Sequence, residues 1–169
     1  GGDGNYYSGS TGWHPDGNWG QLFAAKVAFY LDPLTRDTGA IRFIPGSHQP
    51  DHFVRQKQID VNNSLDLFGI SPREFPGSVV VETNPGDVVI FNHDLYHASF
   101  GGGTRRRMFT INCTRRAKTP EDLKMAYQHM KGLMNWYNAH SSIGSDFSTE
   151  PSVFYSTIIE TADKNRMVH

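Results

Sequence analysis

Two candidate metal ligands, His14 and Asp16, stand two residues apart, and a third, His97, follows 83 residues after the first (97 − 14 = 83). On a β-strand, side chains at positions i and i+2 project to the same face, so His14 and Asp16 could hold one ion together. The distance to His97 then requires a second strand that the fold brings alongside. Two histidines and one carboxylate are the ligand set of non-haem Fe(II). The pattern therefore predicts a β fold around an iron site.

Five short apolar runs predict the strands of this fold. They are rich in β-branched and aromatic residues, and turn residues separate them. Pro15, between the first two ligands, cannot donate to a strand ladder, so we expect their strand at an edge or an irregular end. The predicted strands are Gln21–Leu31, Ala40–Ile44, Ser78–Glu82, Val88–Phe91 and Met108–Thr114.

Three stretches are predicted to lie outside the strands. Gly1–Gly12 is rich in glycine and polar residues, which favours a flexible loop. Residues 49–77 are polar and weakly periodic, so we expect a long excursion with a short helix. Gly101–Gly103 is predicted to be a flexible hairpin loop, because no strand-to-helix context for a phosphate cradle follows it.

The character of the chain changes after the last predicted strand. Thr119 is a predicted N-cap, followed by Pro120 in the first turn and Asp122 at the capping-box position. Apolar residues then recur at three- and four-residue steps, which predicts a helix to about Asn138. A second helix is predicted over residues 150–166. The fold class is therefore a mainly β core with C-terminal helices.

Composition excludes several classes of protein. Sixteen basic and seventeen acidic residues give a net charge of −1. The chain therefore lacks the surplus of basic residues that would favour nucleic acid or an anionic membrane as a partner. No apolar run approaches the ~20 residues that a membrane-spanning helix needs. Cys113 is the only cysteine. An intrachain disulfide is thus excluded, and we expect a cytoplasmic protein.

Four short motifs in order resemble the phytanoyl-CoA dioxygenase family of Fe(II)/2-oxoglutarate-dependent oxygenases. They are Trp13–Asp16, Gly39–His48, Gly86–Phe91 and His97–Ser99, the last followed by the arginines 105–107. The similarity covers roughly residues 13 to 114. It implies a double-stranded β-helix core, also called a jelly roll and similar to the cupins. It also implies Fe(II), 2-oxoglutarate as cosubstrate, and O2.

The resemblance also implies the organisation of the chain. We expect one oxygenase domain over residues 1–169, with a core at about 13–116 and a helical C-terminal extension at about 119–169. Family members usually carry a sizeable region before the first metal ligands. We expect that this chain lacks that N-terminal region.

The resemblance assigns roles to individual residues. His14, Asp16 and His97 are the implied metal ligands and catalytic centre. The spacing from Gly86 selects His97 over His93, which we expect in a turn. An arginine after the second histidine holds the far carboxylate of 2-oxoglutarate in this family. The family pattern places Arg106 inward, in phase with the following strand, while the short gap from His97 leaves Arg107 as an alternative.

Two further residues have a functional and a structural interpretation. Ser99 faces the same way as His97 on a strand, so its hydroxyl is a candidate ligand of the cosubstrate carboxylate. The alternative is a small residue that serves packing. Lys26 lies in an apolar strand where an aliphatic residue is usual. If its side chain points into the barrel, its ammonium lies near the pocket. The alternative is that Lys26 lies at the edge of the sheet and extends its ammonium to solvent.

The sequence favours an enzyme that hydroxylates a C–H bond of a small molecule and releases succinate and CO2. Related halogenases have a small residue in place of the carboxylate ligand, so the presence of Asp16 favours hydroxylation. Two alternatives stay open: a metal-dependent cupin-type oxygenase or isomerase without 2-oxoglutarate, and a catalytically silent jelly-roll binding domain. The substrate and the oligomeric state are not encoded in any motif.

Overall fold

The protein was analysed as a computed structural model that describes residues 2–17 and 23–128. The chain divides into two compact units, Gly1–Arg116 and Ala117–His169. Within the described residues, no helix has the length and hydropathy to cross a membrane.

The first unit is built on an antiparallel sheet of six strands. In order along the chain, the strands are Gly2–His14 (β1), Ala24–Tyr30 (β2), Ile41–Phe43 (β3), Val79–Val81 (β4), Val88–Asn92 (β5) and His97–Thr114 (β6). Neighbours in the sheet follow the order β4-β3-β6-β2-β5, and β1 also pairs with β6. This architecture confirms the predicted mainly β, jelly-roll class, and each of the five predicted strands is present.

Strand β6 organises the sheet because three other strands pair with it. Its first residues pair with β3, with Phe43 opposite His97 and Ile41 opposite Ser99. Its last residues, from Met108 onwards, pair with β2. Strand β1 pairs with it in an antiparallel register that ends with His14 opposite His97. Two of the candidate metal ligands are therefore direct cross-strand partners.

Two predictions of flexible loops are wrong. Gly2–His14 forms β1 because its backbone pairs with β6, and this pairing overrides the low strand propensity of its glycines. Gly101–Gly103 lies inside β6. The register between β1 and β6 shifts on either side of the Gly9–Gly102 pair, and Gly101 has a φ of +75°. Glycine there accommodates a bulge within a continuous strand.

The excursion between β3 and β4 contains two short α-helices, where one was predicted. Phe53–Gln56 forms α1 and Ser64–Phe68 forms α2. Two 3₁₀ turns, Val61–Asn63 and Pro72–Glu74, flank α2. Gly69 ends α2 in the left-handed conformation with a φ of 68°, which is a common way for a helix to stop.

One of the two clusters of buried apolar residues fixes the end of β1. Its members are Trp13, Ile44, Val54, Val61, Phe75 and Ala98. The Trp13 ring packs edge-on against Phe75, with 6.5 Å between ring centroids, and its indole N–H donates to the Pro72 carbonyl at 2.7 Å. Because Trp13 precedes His14, this packing anchors the backbone that carries the first candidate ligand.

The second unit is described only to residue 128, and residues 120–128 are helical. The Thr119 hydroxyl accepts a hydrogen bond from the Asp122 backbone N–H at 3.0 Å, so Thr119 is the N-cap, as predicted. The Asp122 carboxylate accepts from the Lys118 backbone N–H at 2.9 Å. The predicted end of this helix near Asn138 and the predicted second helix over 150–166 lie outside the described residues.

Candidate metal centre

His14, Asp16 and His97 converge at the end of β1. His14 is the last residue of β1, and His97 is the first residue of β6. One candidate ligand atom from each of the three side chains lies within 4.8 Å of the others. His14 Nε2 is 3.6 Å from Asp16 Oδ1, and His97 Nε2 is 3.4 Å from Asp16 Oδ2. Three donors this close together can share one ion.

Asp16 reaches the site from a bend and not from the strand. The expectation that His14 and Asp16 share a strand face is wrong, because β1 ends at His14. Instead, the backbone N–H groups of Asp16 and Gly17 both donate to the His93 carbonyl, at 2.9 and 2.8 Å. A Cβ on Gly17 would collide with Asp94 Oδ1 and lie 3.1 Å from the His93 carbonyl carbon. Glycine at position 17 therefore lets this bend pack against the 93–94 turn.

Both histidines present the same ring nitrogen to the centre. His14 Nδ1 lies 2.8 Å from the Gly12 carbonyl, and His97 Nδ1 lies 3.0 Å from the Leu95 carbonyl. A carbonyl can only accept, so each Nδ1 carries a hydrogen, and in the neutral ring each Nε2 has the lone pair that can bind a metal. Metal-binding histidines are held in this way, by a hydrogen bond from the second nitrogen. The donor set of this centre therefore fits a divalent ion.

The electrostatics of the centre keep its carboxylate ionised. Burial raises the pKa of Asp16, but His14, His97 and Lys26 together hold it well below its usual range. Burial lowers the pKa of His97 to about 4, so this ring is neutral at physiological pH. Burial also lowers the pKa of His14, but the hydrogen bonds to Asp16 and Gly12 outweigh it and raise the pKa.

Lys26 contacts the triad. Its Nζ lies 2.6 Å from Asp16 Oδ2, and its side chain is only 17% exposed. Of the two interpretations of Lys26, the structure therefore agrees with the inward one. A lone charged residue in the apolar strand AAKVAFY was the sequence signal for this contact.

Arg106 and Arg107 point to opposite faces of β6. Arg106 is 4% exposed, and its Nη1 donates to Ser99 Oγ at 2.5 Å and to the Gly39 carbonyl at 2.9 Å. Arg107 forms an exposed two-pronged ion pair with Asp32, with Nε and Nη2 at 3.0 and 2.6 Å from Oδ1. The inward guanidinium is therefore that of Arg106, and Ser99 links it to the strand segment of His97.

His93 lies in a turn, as expected, and does not join the triad. It is buried, and its Nε2 is 3.1 Å from Asn112 Oδ1. Its backbone carbonyl is the group that supports the Asp16 bend. A single sequence gives no signal for that contact, because it depends on how distant turns pack.

Asn62 is a second residue that the sequence analysis missed. Its Oδ1 accepts from the Trp13 N–H at 2.7 Å, and its Nδ2 donates to the Trp13 carbonyl at 2.8 Å. The side-chain amide thus satisfies the strand backbone next to His14, as a neighbouring strand would. It comes from a 3₁₀ turn 49 residues away, so local patterns could not reveal it.

Gly39 limits the space around the Arg106 guanidinium, and we expect Gly39→Ala to disturb it. Gly39 has a φ of +101°, and a Cβ there would lie 2.8 Å from Arg106 Nη1 and 3.0 Å from Gly102 Cα. Backbone strain and overpacking each cost about 1–3 kcal/mol. Gly39→Ala should therefore lower the free energy of unfolding, measured with urea, by about 2–6 kcal/mol.

Gly86→Ala is the matched control for this prediction. Gly86 has a similar φ of +96°, but no heavy atom lies within 4 Å of a Cβ built there. The Gly86→Ala control therefore has the backbone strain but no steric contact, and it should lower the free energy of unfolding by about 1–3 kcal/mol. Equal losses in the two variants would contradict a steric role for Gly39 beside Arg106.

Comparison with known proteins identifies a family. The family model described as Phytanoyl-CoA dioxygenase (PhyH) matches residues 5–108, which is more than half of the chain. This match confirms the resemblance inferred from the four motifs.

The chain is similar to two mycobacterial proteins over part of their length. Uncharacterized protein Mb1539 of Mycobacterium bovis and Uncharacterized protein Rv1501 of Mycobacterium tuberculosis are each 28% identical over 97 residues. The aligned region covers 55% of this chain and 29% of each relative. The chain thus spans less than a third of the length of these curated relatives. Among solved structures, it is similar to AviO1 from Streptomyces viridochromogenes Tue57, with 24% identity and a TM-score of 0.47 over 70% of this chain and 49% of that one.

Proposed function

The chain belongs to the phytanoyl-CoA dioxygenase family, and on that premise we propose that it is an Fe(II)/2-oxoglutarate-dependent dioxygenase. We propose further that it hydroxylates a C–H bond of a small-molecule substrate, with release of succinate and CO2. His14, Asp16 and His97 would hold Fe(II). Arg106, supported by Ser99, would hold the far carboxylate of 2-oxoglutarate.

One observation carries this proposal. One short segment of β6 contacts two charged groups. The first is the histidine–carboxylate triad, and the second is the buried guanidinium of Arg106. His97 belongs to the triad, and Ser99, two residues later, accepts a hydrogen bond from Arg106. A metal chelator with a second carboxylate at its far end would engage both sites. A cupin that uses no 2-oxoglutarate needs no buried arginine at this position.

Each residue of the site has a distinct task in this reaction. When bound, Fe(II) supplies the O2 chemistry that oxidises the C–H bond at the expense of 2-oxoglutarate. The Gly12 and Leu95 carbonyls fix the ring orientation of His14 and His97. Arg106 offers a planar set of donors, and its burial removes competing water from a bound carboxylate.

Asp16 supports hydroxylation over halogenation. Its carboxylate is ionised and points at both histidine Nε2 atoms, so it occupies the position that a small residue leaves open in the related halogenases. The free, exposed thiol of Cys113 suits a reducing compartment, and we propose a cytoplasmic setting. We also propose that the described core and the C-terminal extension act as one domain.

Calorimetry with Mn(II), an inert substitute for Fe(II), followed by 2-oxoglutarate tests the function. The proposal expects Mn(II) to bind first and 2-oxoglutarate to bind only the Mn(II)-loaded protein. Binding of Mn(II) without 2-oxoglutarate would instead favour a cupin-type enzyme. Binding of neither would favour a silent binding domain.

A further inference from the structure

The ammonium of Lys26 is built into the metal centre. Lys26 lies in β2, paired with Phe91 of β5 on one side and with Asn112 of β6 on the other. Its Nζ is 2.6 Å from Asp16 Oδ2. Among the described residues, Asp16 is the one carboxylate that forms an ion pair with it. The described part of β2 contains no other charged side chain.

This contact changes the charge of the centre. With neutral histidines, Asp16 contributes −1 and Lys26 contributes +1, so the protein side of the site sums to zero. A divalent ion then raises the sum to +2. Without Lys26, the same centre would reach only +1. 2-Oxoglutarate carries two carboxylates. Arg106 would meet the far one, so removing Lys26 lowers the charge that the near carboxylate meets at the centre from +2 to +1.

Lys26 therefore has opposite effects on two binding equilibria: it weakens binding of the metal ion and strengthens binding of 2-oxoglutarate. A positive charge beside the triad repels an incoming cation, and at about 5 Å in a water-like medium one unit charge repels a divalent ion by roughly 1.7 kcal/mol, or about 15-fold in affinity. The same charge attracts an incoming dianion. Lys26 Nζ lies 2.6 Å from Asp16 Oδ2, and the same oxygen lies 3.4 Å from His97 Nε2, so this charge is adjacent to the ligands.

We propose that Lys26 is a positioning and charge-setting residue, which tunes the metal centre through Asp16 so that it favours a dianionic cosubstrate at the expense of metal affinity. This inference rests on the proposed function. It goes beyond that function because a residue outside the triad, Lys26, would set the relative affinities for the metal ion and for 2-oxoglutarate. A residue that merely held Asp16 in place would strengthen both equilibria.

The test compares Lys26→Met with Lys26→Arg and with Lys57→Met, which removes the same charge from an exposed position. Calorimetry measures Mn(II) affinity without 2-oxoglutarate, and then 2-oxoglutarate affinity of the Mn(II)-loaded protein. For Lys26→Met we expect Mn(II) affinity to rise about 15-fold and 2-oxoglutarate affinity to fall about tenfold. Lys26→Arg and Lys57→Met should stay within about twofold of wild type in both.

The outcomes separate this inference from the proposed function. If wild type binds both ligands but Lys26→Met weakens both, or changes neither, the charge-setting role is overturned while the oxygenase proposal stands. If wild type binds no 2-oxoglutarate, the proposed function fails, and this inference fails with it. Circular dichroism of each variant checks that the fold is intact, and Lys26→Gln, which also removes the charge, repeats the test if Lys26→Met does not fold.

Discussion

The Asp16→Ala variant is expected to lose both metal binding and substrate-triggered succinate formation. Asp16 is the only anionic member of the triad, and its carboxylate faces both histidine Nε2 atoms. Its removal also leaves the Lys26 ammonium beside the two rings without its counter-ion. We therefore expect Mn(II) affinity to fall by a factor of at least about 10², measured by calorimetry or by electron paramagnetic resonance of free Mn(II).

The control for this variant is Asp66→Ala, which removes an exposed carboxylate in α2. It should bind Mn(II) and form succinate as wild type does. The buffer should contain no halide, because a halide could occupy the ligand position that alanine leaves open. Unchanged Mn(II) affinity and unchanged turnover in Asp16→Ala would refute the assignment of the triad.

The strands were predictable because local composition determines them. Apolar runs bounded by turn residues predicted Val88–Phe91, and the structure has Val88–Asn92. The Asn84–Asp87 turn follows from Pro85 and Gly86, which suit its central positions, and Gly86 has the positive φ that this requires. Each of these features depends only on neighbours in sequence.

The remaining errors come from contacts between distant parts of the chain. The glycine-rich segment Gly2–Gly12 looks flexible in isolation, but pairing with β6 makes it a strand. The same limit applies to the site. The resemblance pointed to His14, Asp16 and His97. The hydrogen bonds of Asn62 with the Trp13 backbone, and of the Asp16 N–H with the His93 carbonyl, depend instead on packing. No periodicity in one sequence records such contacts.

The period of two along β6 explains why the inward arginine could be predicted. Arg106, Met108, Thr110 and Asn112 are buried or half-buried, and the residues between them are exposed. This alternation follows from strand geometry and agrees with the inward phase that the family pattern gave to Arg106. It also supplies an adjacent residue of the same chemistry, Arg107, as a control.

Arg106→Met is expected to weaken 2-oxoglutarate binding by a factor of about 10² to 10³ while Mn(II) affinity stays near that of wild type. A charged hydrogen bond contributes about 1.5–3 kcal/mol, and a guanidinium can make two to one carboxylate. Arg106→Lys keeps the charge but loses the planar fork, so we expect an intermediate loss. Titration of the Mn(II)-loaded protein with 2-oxoglutarate measures both.

Arg107→Met separates the role of the inward guanidinium from that of positive charge near the strand. Arg107 is paired with Asp32 on the exposed face, and exposed ion pairs contribute at most about 1 kcal/mol to stability. Its loss should leave 2-oxoglutarate affinity within about twofold of wild type. A large loss in Arg107→Met with none in Arg106→Met would reverse the assignment. Equal small losses in both would mean that neither arginine anchors the cosubstrate, and a cupin-type reaction without 2-oxoglutarate would then account better for the triad.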